Sequence, residues 1–462
     1  MRLREREMDL TQGNIWKQLI RFAIPMLIGN FFQQMYNTVD SIILGRYVST
    51  EALAAVGSTG NAINALIGFF IGIATGAGVI ISQYCGAKDE KSLSDAVQTS
   101  ITVALIACVV CTVLGVISVP LLLRMMNLTE NPSVYEMTNR YLTIYFSGVS
   151  GVLLYNIGAG ILRAVGDSRR PLYFLILTTL MNIVLDLLFV KVWDKKIEGV
   201  AYATIISQFV SAFLVMLLLS RSNAAYRVEW KRLRVNRAMM KAIFRIGLPT
   251  AIQSAVTSVS NVFVQGYINN FKTYCMAGWT AYGRIDQFAL LPINSLALST
   301  TTFTGQNLGA GNVERARKGL RVTLLLSLIV CVGMGIPMNL FKRSLIGIFD
   351  KTEEVLEYGS IFLTMMSPFY IMCAINNIYA NALRGAGISL APMVMMLSSY
   401  VAFRQIYLYV FSHITDSFRV VALAYPMGWI LCAILILSYY YFGHWQEKSN
   451  VLARIRARGQ EQ

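Results

Sequence analysis

The chain has 462 residues, of which 55% are hydrophobic and 14% charged, with a mean hydropathy of +0.55 and a net charge of +16. Soluble globular domains carry nearly twice that charged fraction, so the composition excludes one. Apolar runs of about twenty residues, each enough to cross a hydrocarbon core of roughly 30 Å, recur along the chain. They are too long and alternate too little for membrane β-strands. The composition therefore predicts an all-α integral membrane protein.

Twelve transmembrane helices are predicted in chain order. The first six cover residues 14–43, 52–82, 93–123, 134–162, 168–192 and 196–220. The next six cover residues 238–267, 275–305, 316–342, 354–383, 388–413 and 418–443. Each is long enough to span the hydrocarbon core with some tilt.

The motifs of the first half of the chain return in the second half, in the same order. Three motifs recur at offsets of 224, 223 and 221 residues. The pairs are Ile20–Pro25 with Phe244–Pro249, Ser82–Ala87 with Gly305–Ala310, and Leu162–Gly166 with Leu383–Gly387. This period is too long for a solenoid repeat. It matches half of a membrane transporter, where internal duplication is common.

An even number of helices per copy determines how the copies are related. Six crossings return the chain to the side on which it started, so both copies enter the membrane in the same orientation. We therefore predict two six-helix lobes related by a pseudo-two-fold axis along the membrane normal. The predicted domains are a first lobe at 1–222, a basic cytoplasmic linker at 223–240, a second lobe at 241–445 and a cytoplasmic tail at 446–462.

Positive charge gathers at the termini and in the loops that follow even-numbered helices. Arg2, Arg4 and Arg6 lie in the N-terminal tail, and the densest basic run, 227–245, lies between the two copies. Because cytoplasmic loops carry the excess of Lys and Arg, both termini are expected in the cytoplasm, with the chain in the plasma membrane. The net charge is then a topology signal. We expect membrane lipids, and no nucleic acid, among the partners.

The sequence offers little material for enzymatic chemistry. Cys108 and Cys111 form a CxxC inside an apolar helix, without a second pair to complete a metal site. His413 and His444 lie far apart, and no GxxxxGK[ST] loop for ATP is present. We therefore predict that the protein is not an enzyme and needs no cofactor.

Two aspartates lie inside predicted helices of the first lobe. Asp40 is in the first helix, and Asp186 follows Asn182 by four residues in the fifth, so Asn182 and Asp186 share one helix face. A charge at mid-membrane costs about 2.5–3.5 kcal/mol on insertion scales, so retained acids indicate a function. Either one carboxyl holds a proton, or a metal cation lies between the two; both describe a coupling-ion site. The alternative is that each aspartate only hydrogen-bonds a neighbouring helix.

The second copy lacks counterparts of these acids. At the fixed offsets Asp40 corresponds to Val264, Asn182 to Phe403 and Asp186 to Tyr407. The ionisable site is therefore predicted in the first lobe alone. Arg284 and Asp286, two residues apart in the eighth helix, are expected to neutralise one another, and a role in substrate charge selection is the alternative.

These motifs resemble one known family, the multidrug and toxic compound extrusion (MATE) transporters. The resemblance covers roughly residues 10–445 and rests on Pro25 in the first helix, the Gln-x-x-Gly-Ala turns and the Leu-Arg-x-x-Gly turns. Because the seventh helix, Thr250 to Tyr267, holds no acid, the chain looks like the prokaryotic DinF-like branch, whose coupling acids lie in the first lobe.

The resemblance implies roles for particular residues. Asp40, Asn182, Asp186 and Thr204 match the cation-coupling site of the family, with H⁺ or Na⁺ as the ion, and Pro25 matches its conformational hinge. For Asn156 and Asn377, which are partners in the internal repeat, a shared structural role is the alternative to cavity lining. The side chains predicted to line the substrate cavity are Gln33, Tyr36, Asn37, Tyr141, Asn156 and Asn377.

The leading hypothesis is an antiporter that exports small organic, mostly cationic compounds in exchange for H⁺ or Na⁺, by alternating access of two lobes. The alternative is a flippase for a lipid-linked oligosaccharide precursor. A flippase is expected to line its cavity with several basic residues for pyrophosphate, and only Arg284 and Arg404 lie inside predicted helices away from their ends. One chain already holds both lobes, so a monomer suffices.

Overall fold

The computed structural model describes residues 8–125, 132–271, 273–415 and 417–449. Within these ranges the chain forms helices and no strand, which confirms the all-α prediction. The basic N-terminal residues Arg2, Arg4 and Arg6, and the tail from residue 450 onward, lie outside the described residues.

The first half of the chain forms seven helices, because the predicted fourth helix is divided in two. They are α1 Ile15–Ile43, α2 Thr50–Gly86, α3 Glu90–Met125, α4 Pro132–Ser147, α5 Val149–Ala164, α6 Arg169–Leu187 and α7 Lys196–Arg221. Helices α4 and α5 meet at an angle of 44°.

The second half contains more breaks. Its helices are α8 Arg237–Asn269, α9 Thr273–Gly309, α10 Val313–Leu340, α11 Lys342–Ile346, α12 Glu353–Met366, α13 Tyr370–Gly385, α14 Leu390–Leu397, α15 Arg404–Ile414, α16 Phe418–Phe442 and α17 Trp445–Lys448. A 3₁₀ turn at Ser367–Phe369 joins α12 to α13, within the predicted tenth helix.

The described part of the chain has eight apolar helical segments long enough to cross a membrane, and the bent pair of α4 and α5 makes a ninth. Three further helices are more polar but have ample length: α1 with 29 residues, α8 with 33 and α9 with 37. About twenty residues are enough to cross the hydrocarbon core. With these three, the helices agree with the twelve crossings predicted from the sequence.

The contacts divide the chain into two compact units. The first comprises residues 1–9 and 28–251, and the second comprises residues 10–27 and 252–462. These boundaries differ from the predicted lobe boundaries, because α1 is divided after Leu27 and α8 after Ala251. Each division falls two residues after a proline inside the helix, Pro25 or Pro249.

Close helix packing in the first unit depends on small residues. A Cβ atom at Gly72 of α2 would clash with the backbone of Ala251, and one at Gly76 would clash with Gly247. Small side chains let membrane helices approach one another in this way. The predicted linker docks in the same unit, because Arg234 forms a 2.6 Å salt bridge with Asp95 of α3.

The repeated Leu-Arg-x-x-Gly motif ends a helix in the same way in both copies. Gly166 and Gly387 have φ values of +93° and +83°, which glycine adopts without steric cost. The next residue donates its N–H to the carbonyl of Leu162 in the first copy, and to that of Leu383 in the second. These are Schellman turns, so the motif recurs because it stops a helix.

Three π-helical turns interrupt or extend the regular helices in the described part of the chain. They lie at Leu44–Val48 after α1, at Leu188–Val192 after α6 and at Ser398–Phe403 between α14 and α15. Each places one extra residue in the helical path, and such turns are frequent at functional sites.

Candidate functional site

The four predicted cation-coupling residues are buried in the first unit. Asp40 is 9% exposed, Asn182 1%, Asp186 0% and Thr204 3%. Asp40 lies in the last turn of α1, Asn182 and Asp186 lie one turn apart on α6, and Thr204 lies on α7. The carboxyl groups of Asp40 and Asp186 interact directly with one another. The structure therefore brings the two predicted acids together.

The polar atoms of this cluster lack partners of normal hydrogen-bond geometry. They include both carboxylate oxygens of Asp186, both polar atoms of the Asn182 amide, Oδ1 of Asp40 and the Thr204 hydroxyl. Ser207, one turn beyond Thr204 on α7, adds a second buried hydroxyl without a partner. A buried polar group normally forms a hydrogen bond, and leaving one unsatisfied costs about 1–3 kcal/mol. These buried groups lie together on three helices, α1, α6 and α7.

Two tyrosines lie against the acids, and a third packs on one of them. Tyr36, one turn before Asp40, interacts with that carboxyl and with the Thr204 hydroxyl. Tyr141 of α4 interacts with Asp40 and Asp186, and its ring stacks on that of Tyr145 at a centroid distance of 6.1 Å. The rings of Tyr141 and Tyr145 belong to an apolar cluster that also contains Ile43, Leu44, Val200 and Ala201. The acids therefore lie in a weakly polar environment, where a nearby cation interacts strongly with them.

The donor set is suited to a proton or to a hard cation. Carboxylate, amide and hydroxyl oxygens are the ligands that hard cations prefer, whereas sites for softer metals use Cys or His. No group of three or more His, Cys, Asp or Glu side chains within the described residues could hold a metal ion. Two adjacent carboxyl groups in a low-dielectric environment cannot both stay ionised without a compensating charge. The arrangement can thus take up and release one positive charge.

The predicted cavity residues have different environments. Gln33 and Asn37 are exposed on α1, and Tyr36 is half-buried. The repeat partners Asn156 and Asn377 instead donate to carbonyl groups of their own helices, those of Val152 at 2.8 Å and Cys373 at 2.9 Å. The same intrahelical hydrogen bond in both copies agrees with a shared structural role for these two residues. Cavity lining by them stays a prediction.

The pairing expected in the eighth predicted helix is wrong. Arg284 is exposed and forms no salt bridge with Asp286 in the described part of the chain. The Asp286 carboxylate instead accepts hydrogen bonds from the hydroxyls of Tyr370 at 2.6 Å and Tyr282 at 2.9 Å. The second unit therefore also holds a partly buried acid, but its oxygen is already satisfied.

The π-helical turn at Ser398–Phe403 corrects two of the correspondences between the copies. Before this turn, buried and exposed positions of the two copies match at an offset of 221, as at Pro171 and Pro392. Beyond it they match at 222, because the turn holds one extra residue. Asn182 then corresponds to Arg404, not Phe403, and Asp186 to Leu408, not Tyr407. Like Asn182 and Asp186, both Arg404 and Leu408 are buried.

Sequence comparison identifies relatives over nearly the whole chain. The model of the MatE family matches residues 25–188 and 249–410. The probable multidrug resistance protein YoeA of Bacillus subtilis is 27% identical over 446 residues, which are 95% of this chain and 96% of that protein. The probable multidrug resistance protein NorM of Thermotoga maritima is 27% identical over 452 residues, 96% of each chain.

Structural comparison gives a matching fold. A solved structure described as the outward-facing conformation of a multidrug resistance MATE family transporter superimposes with a TM-score of 0.88. The alignment covers 96% of this chain and 98% of that one, at 23% sequence identity.

Proposed function

Because the chain belongs to the MatE family of membrane transporters, we propose that it is a cation-coupled antiporter that exports small organic compounds from the cell. The relatives named as multidrug resistance proteins support organic compounds as the cargo. The proposed coupling ion is H⁺ or Na⁺, and the proposed transport cycle is alternating access of two lobes. No chemical step on a substrate is required, since the protein is a transporter and not an enzyme.

The unsatisfied acid pair Asp40–Asp186 is the observation that carries this proposal. With the site empty of positive charge, two carboxylates repel one another in a weakly polar environment. Uptake of a proton or of Na⁺ removes that repulsion and gives the amide of Asn182 and the hydroxyl of Thr204 a partner. The arrangement of the surrounding helices therefore has a different free energy with and without the ion, which is what coupling requires.

Pro25 is the proposed hinge through which α1 responds. A proline inside a helix removes one backbone hydrogen bond and clashes with the preceding turn, so the helix bends there at low cost. Asp40 lies on the same helix, four turns further on. A change of charge at Asp40 can thus be transmitted along α1 to the proline.

The location and the assembly of the protein are part of the proposal. We propose a prokaryotic inner membrane with both termini in the cytoplasm, in agreement with the distribution of Lys and Arg in the sequence. A monomer contains both copies of the repeat, and lipids are its only other proposed partners besides the exported compounds and the ion. The flippase alternative requires several basic side chains along a cavity, whereas the residues of the proposed coupling site are acidic or neutral.

Transport in liposomes tests the proposal. The purified protein is reconstituted, and movement of a fluorescent organic cation such as rhodamine 123 is followed under an imposed pH gradient and then an imposed Na⁺ gradient. Transport driven by one of these gradients, and lost in Asp40→Asn, is the expected result. It also identifies the ion.

A matched control separates the coupling site from general damage to α1. Asn37→Asp places an acid one turn from Asp40 on the exposed side of the same helix. In the background of Asp40→Asn it should not restore coupled transport. Gradient-driven transport that persists in Asp40→Asn would contradict the proposed site, and no transport by the unmodified protein would shift the test to lipid-linked substrates.

A further inference from the structure

The second unit contains a structural counterpart of the coupling site. At an offset of 224, Tyr36 and Asn37 of α1 correspond to Ser260 and Asn261 of α8, and Asp40 corresponds to Val264. The sequence Val200-Ala201-x-Ala203 returns as Val421-Ala422-x-Ala424, which pairs Thr204 with Tyr425. Together with the corrected positions on α15, the complete counterpart consists of Ser260, Asn261, Val264, Arg404, Leu408 and Tyr425.

One side chain joins the members of this counterpart. Nη2 of Arg404 donates to Oγ of Ser260 at 2.7 Å and to Oδ1 of Asn261 at 2.8 Å. The guanidinium carbon lies 4.7 Å from the centre of the Tyr425 ring, in a cation–π contact. The guanidinium therefore contacts the counterparts of Tyr36, Asn37 and Thr204. In the first unit Thr204 belongs to the proposed coupling site and Tyr36 interacts with it.

Arg404 is buried without an acidic partner. It is 3% exposed, and it forms no salt bridge with any carboxylate in the described ranges. Its Nε atom has no hydrogen-bond partner. The positions of the two acids are apolar here, since Val264 and Leu408 both pack in the main core cluster of the second unit. A buried guanidinium is costly in a membrane, so its retention at this position indicates a function.

We propose that Arg404 is a fixed internal cation, which occupies in the second lobe the place that the coupling ion takes in the first lobe. This inference rests on the proposed antiporter. The positive charge repels any mobile cation, and the loss of both acids removes the ligands that would attract one. Hydroxyl, amide and aromatic ring hold the guanidinium in place of carboxylates. Arg404 is thus a positioning residue. It keeps the second lobe throughout the transport cycle in the arrangement that corresponds to an ion-bound first lobe.

The consequence is a difference in ion response between the two lobes. Only the first lobe gains or loses a positive charge, so one site sets the ion dependence of transport. A second responsive site would make that dependence steeper, because the slope of a cooperative response can rise up to the number of coupled sites.

Rebuilding the lost ligands tests this inference. Val264→Asp restores the acid at the counterpart of Asp40, and Arg404→Asn restores the amide at the counterpart of Asn182. Transport of rhodamine 123 into liposomes is measured over a range of concentrations of the coupling ion. We expect a Hill slope of about 1 in the unmodified protein and a slope approaching about 2 in the double variant Arg404→Asn/Val264→Asp.

Val264→Asp alone is the matched control. Here the new carboxylate has the Arg404 guanidinium as its cation, so the Hill slope should stay at about 1. Transport by the double variant with an unchanged slope would overturn the inference.

Conservative variants keep the inference testable if the double variant does not fold. Arg404→Lys retains the charge and Arg404→Gln retains hydrogen-bonding groups without it. Arg404→Lys should transport within about threefold of the unmodified protein, while Arg404→Gln should lose about tenfold or more, because only the first keeps a buried cation. Equal rates in Arg404→Gln and the unmodified protein would overturn the inference.

Failure of the antiporter proposal is distinguishable from failure of this inference. If the unmodified protein shows no gradient-driven transport, the antiporter proposal fails, and thermal unfolding in detergent still measures whether the Arg404 charge acts at position 264. Val264→Asp should lower the unfolding temperature less when Arg404 is present than in the Arg404→Gln background. Equal losses in the two backgrounds would overturn the fixed-cation inference by itself.

Discussion

The proposed coupling site of the first unit and its counterpart in the second unit lie on equivalent helices but differ in their polar groups and in how those groups are hydrogen-bonded. The first has two acids, an amide and hydroxyl groups that are buried without hydrogen-bond partners of normal geometry. The second has valine and leucine in place of the acids and a guanidinium held by a serine, an asparagine and a tyrosine. Buried polar groups that lack hydrogen-bond partners need a ligand to satisfy them, whereas the polar groups of the second unit are already bonded to the Arg404 guanidinium. On the proposed mechanism, the first copy of the repeat responds to the coupling ion and the second copy does not.

The largest expected difference between the two sites is at Asp186 and Leu408. Asp186→Asn removes one of the two acids, so the ion no longer changes the charge balance of the site, and coupled transport should fall about 100-fold or more, equivalent to roughly 2.7 kcal/mol. Leu408→Met, a volume-conserving change at the counterpart, should leave transport within about twofold. Gradient-driven uptake in liposomes measures both. Coupled transport that survives in Asp186→Asn would show that the two acids do not share one ion.

A second comparison concerns packing at corresponding positions of α2 and α9. Gly72→Val should abolish accumulation of folded protein, because the backbone of Ala251 leaves no space for a side chain. Its counterpart Ser295 already has a Cβ atom, and Ser295→Ala removes the 2.8 Å hydrogen bond to the carbonyl of Leu291, at a cost of about 1 kcal/mol. Size-exclusion chromatography of the detergent-solubilised protein distinguishes them. A monodisperse Gly72→Val variant would contradict the close packing.

Thr204 and Tyr425 allow a finer comparison of the neutral ligands. Thr204→Val removes a hydroxyl that the ion is expected to use, and a contact with a charged group contributes about 1.5–3 kcal/mol. The ion concentration for half-maximal transport should therefore rise about tenfold or more, with little change in the maximal rate. Tyr425→Phe keeps the ring beneath Arg404 and should leave the half-maximal concentration unchanged. A shift of similar size in both variants would remove the distinction between the two sites.

The smallest effect is expected at the repeat partners Asn156 and Asn377. Each amide donates to a carbonyl one turn earlier in its own helix. Asn156→Ala and Asn377→Ala should therefore change transport of rhodamine 123 and of other organic cations by less than about twofold, since the amides are engaged in local bonds. A selective loss of one substrate in either variant, measured in liposomes, would instead place that amide in the cavity.

The sequence predicts the helices better than it predicts their interruptions. Long apolar runs have a direct physical cause, so the predicted limits of α7 and α16 differ from the observed ones by only one residue. The break between α4 and α5 and the 3₁₀ turn at Ser367–Phe369 were not predicted. A single span of hydrophobic residues has the same composition whether it is straight or bent, and the bend depends on tertiary packing that composition does not record.

The candidate site was predicted in part because a buried charge is costly. That cost identifies Asp40 and Asp186 without any structure. Tyr145 and Ser207 were missed, although a signal was present: Tyr145 follows Tyr141 by four residues, and Ser207 follows Thr204 by three, so each lies on the same helix face as a predicted site residue. The contact between Asp40 and Asp186 itself depends on how α1 and α6 pack, which the sequence does not reveal.

The correspondence between the copies failed where it assumed a constant helix register. Phe403 and Tyr407 were assigned at a fixed offset, and the π-helical turn before Arg404 makes that offset wrong by one residue. The three unequal offsets of 224, 223 and 221 already indicated that the two copies differ in the number of residues between the repeated motifs. They did not show where along the chain each residue was gained or lost.

In genetic terms, each π-helical turn amounts to a single codon gained inside a transmembrane helix. In a regular helix one added codon rotates every later side chain by about 100°, which would turn a buried face toward lipid. Here a single wide π-helical turn accommodates the extra residue, at Ser398–Phe403 in the second copy and at Leu188–Val192 in the first. The extra residue of the second copy lies before Arg404, and that of the first copy lies after Asp186. The offset between the copies therefore returns to 221 in the next helix, where Val200 corresponds to Val421. Each copy can therefore gain a single codon separately, while the helices of the proposed coupling site keep the same face buried.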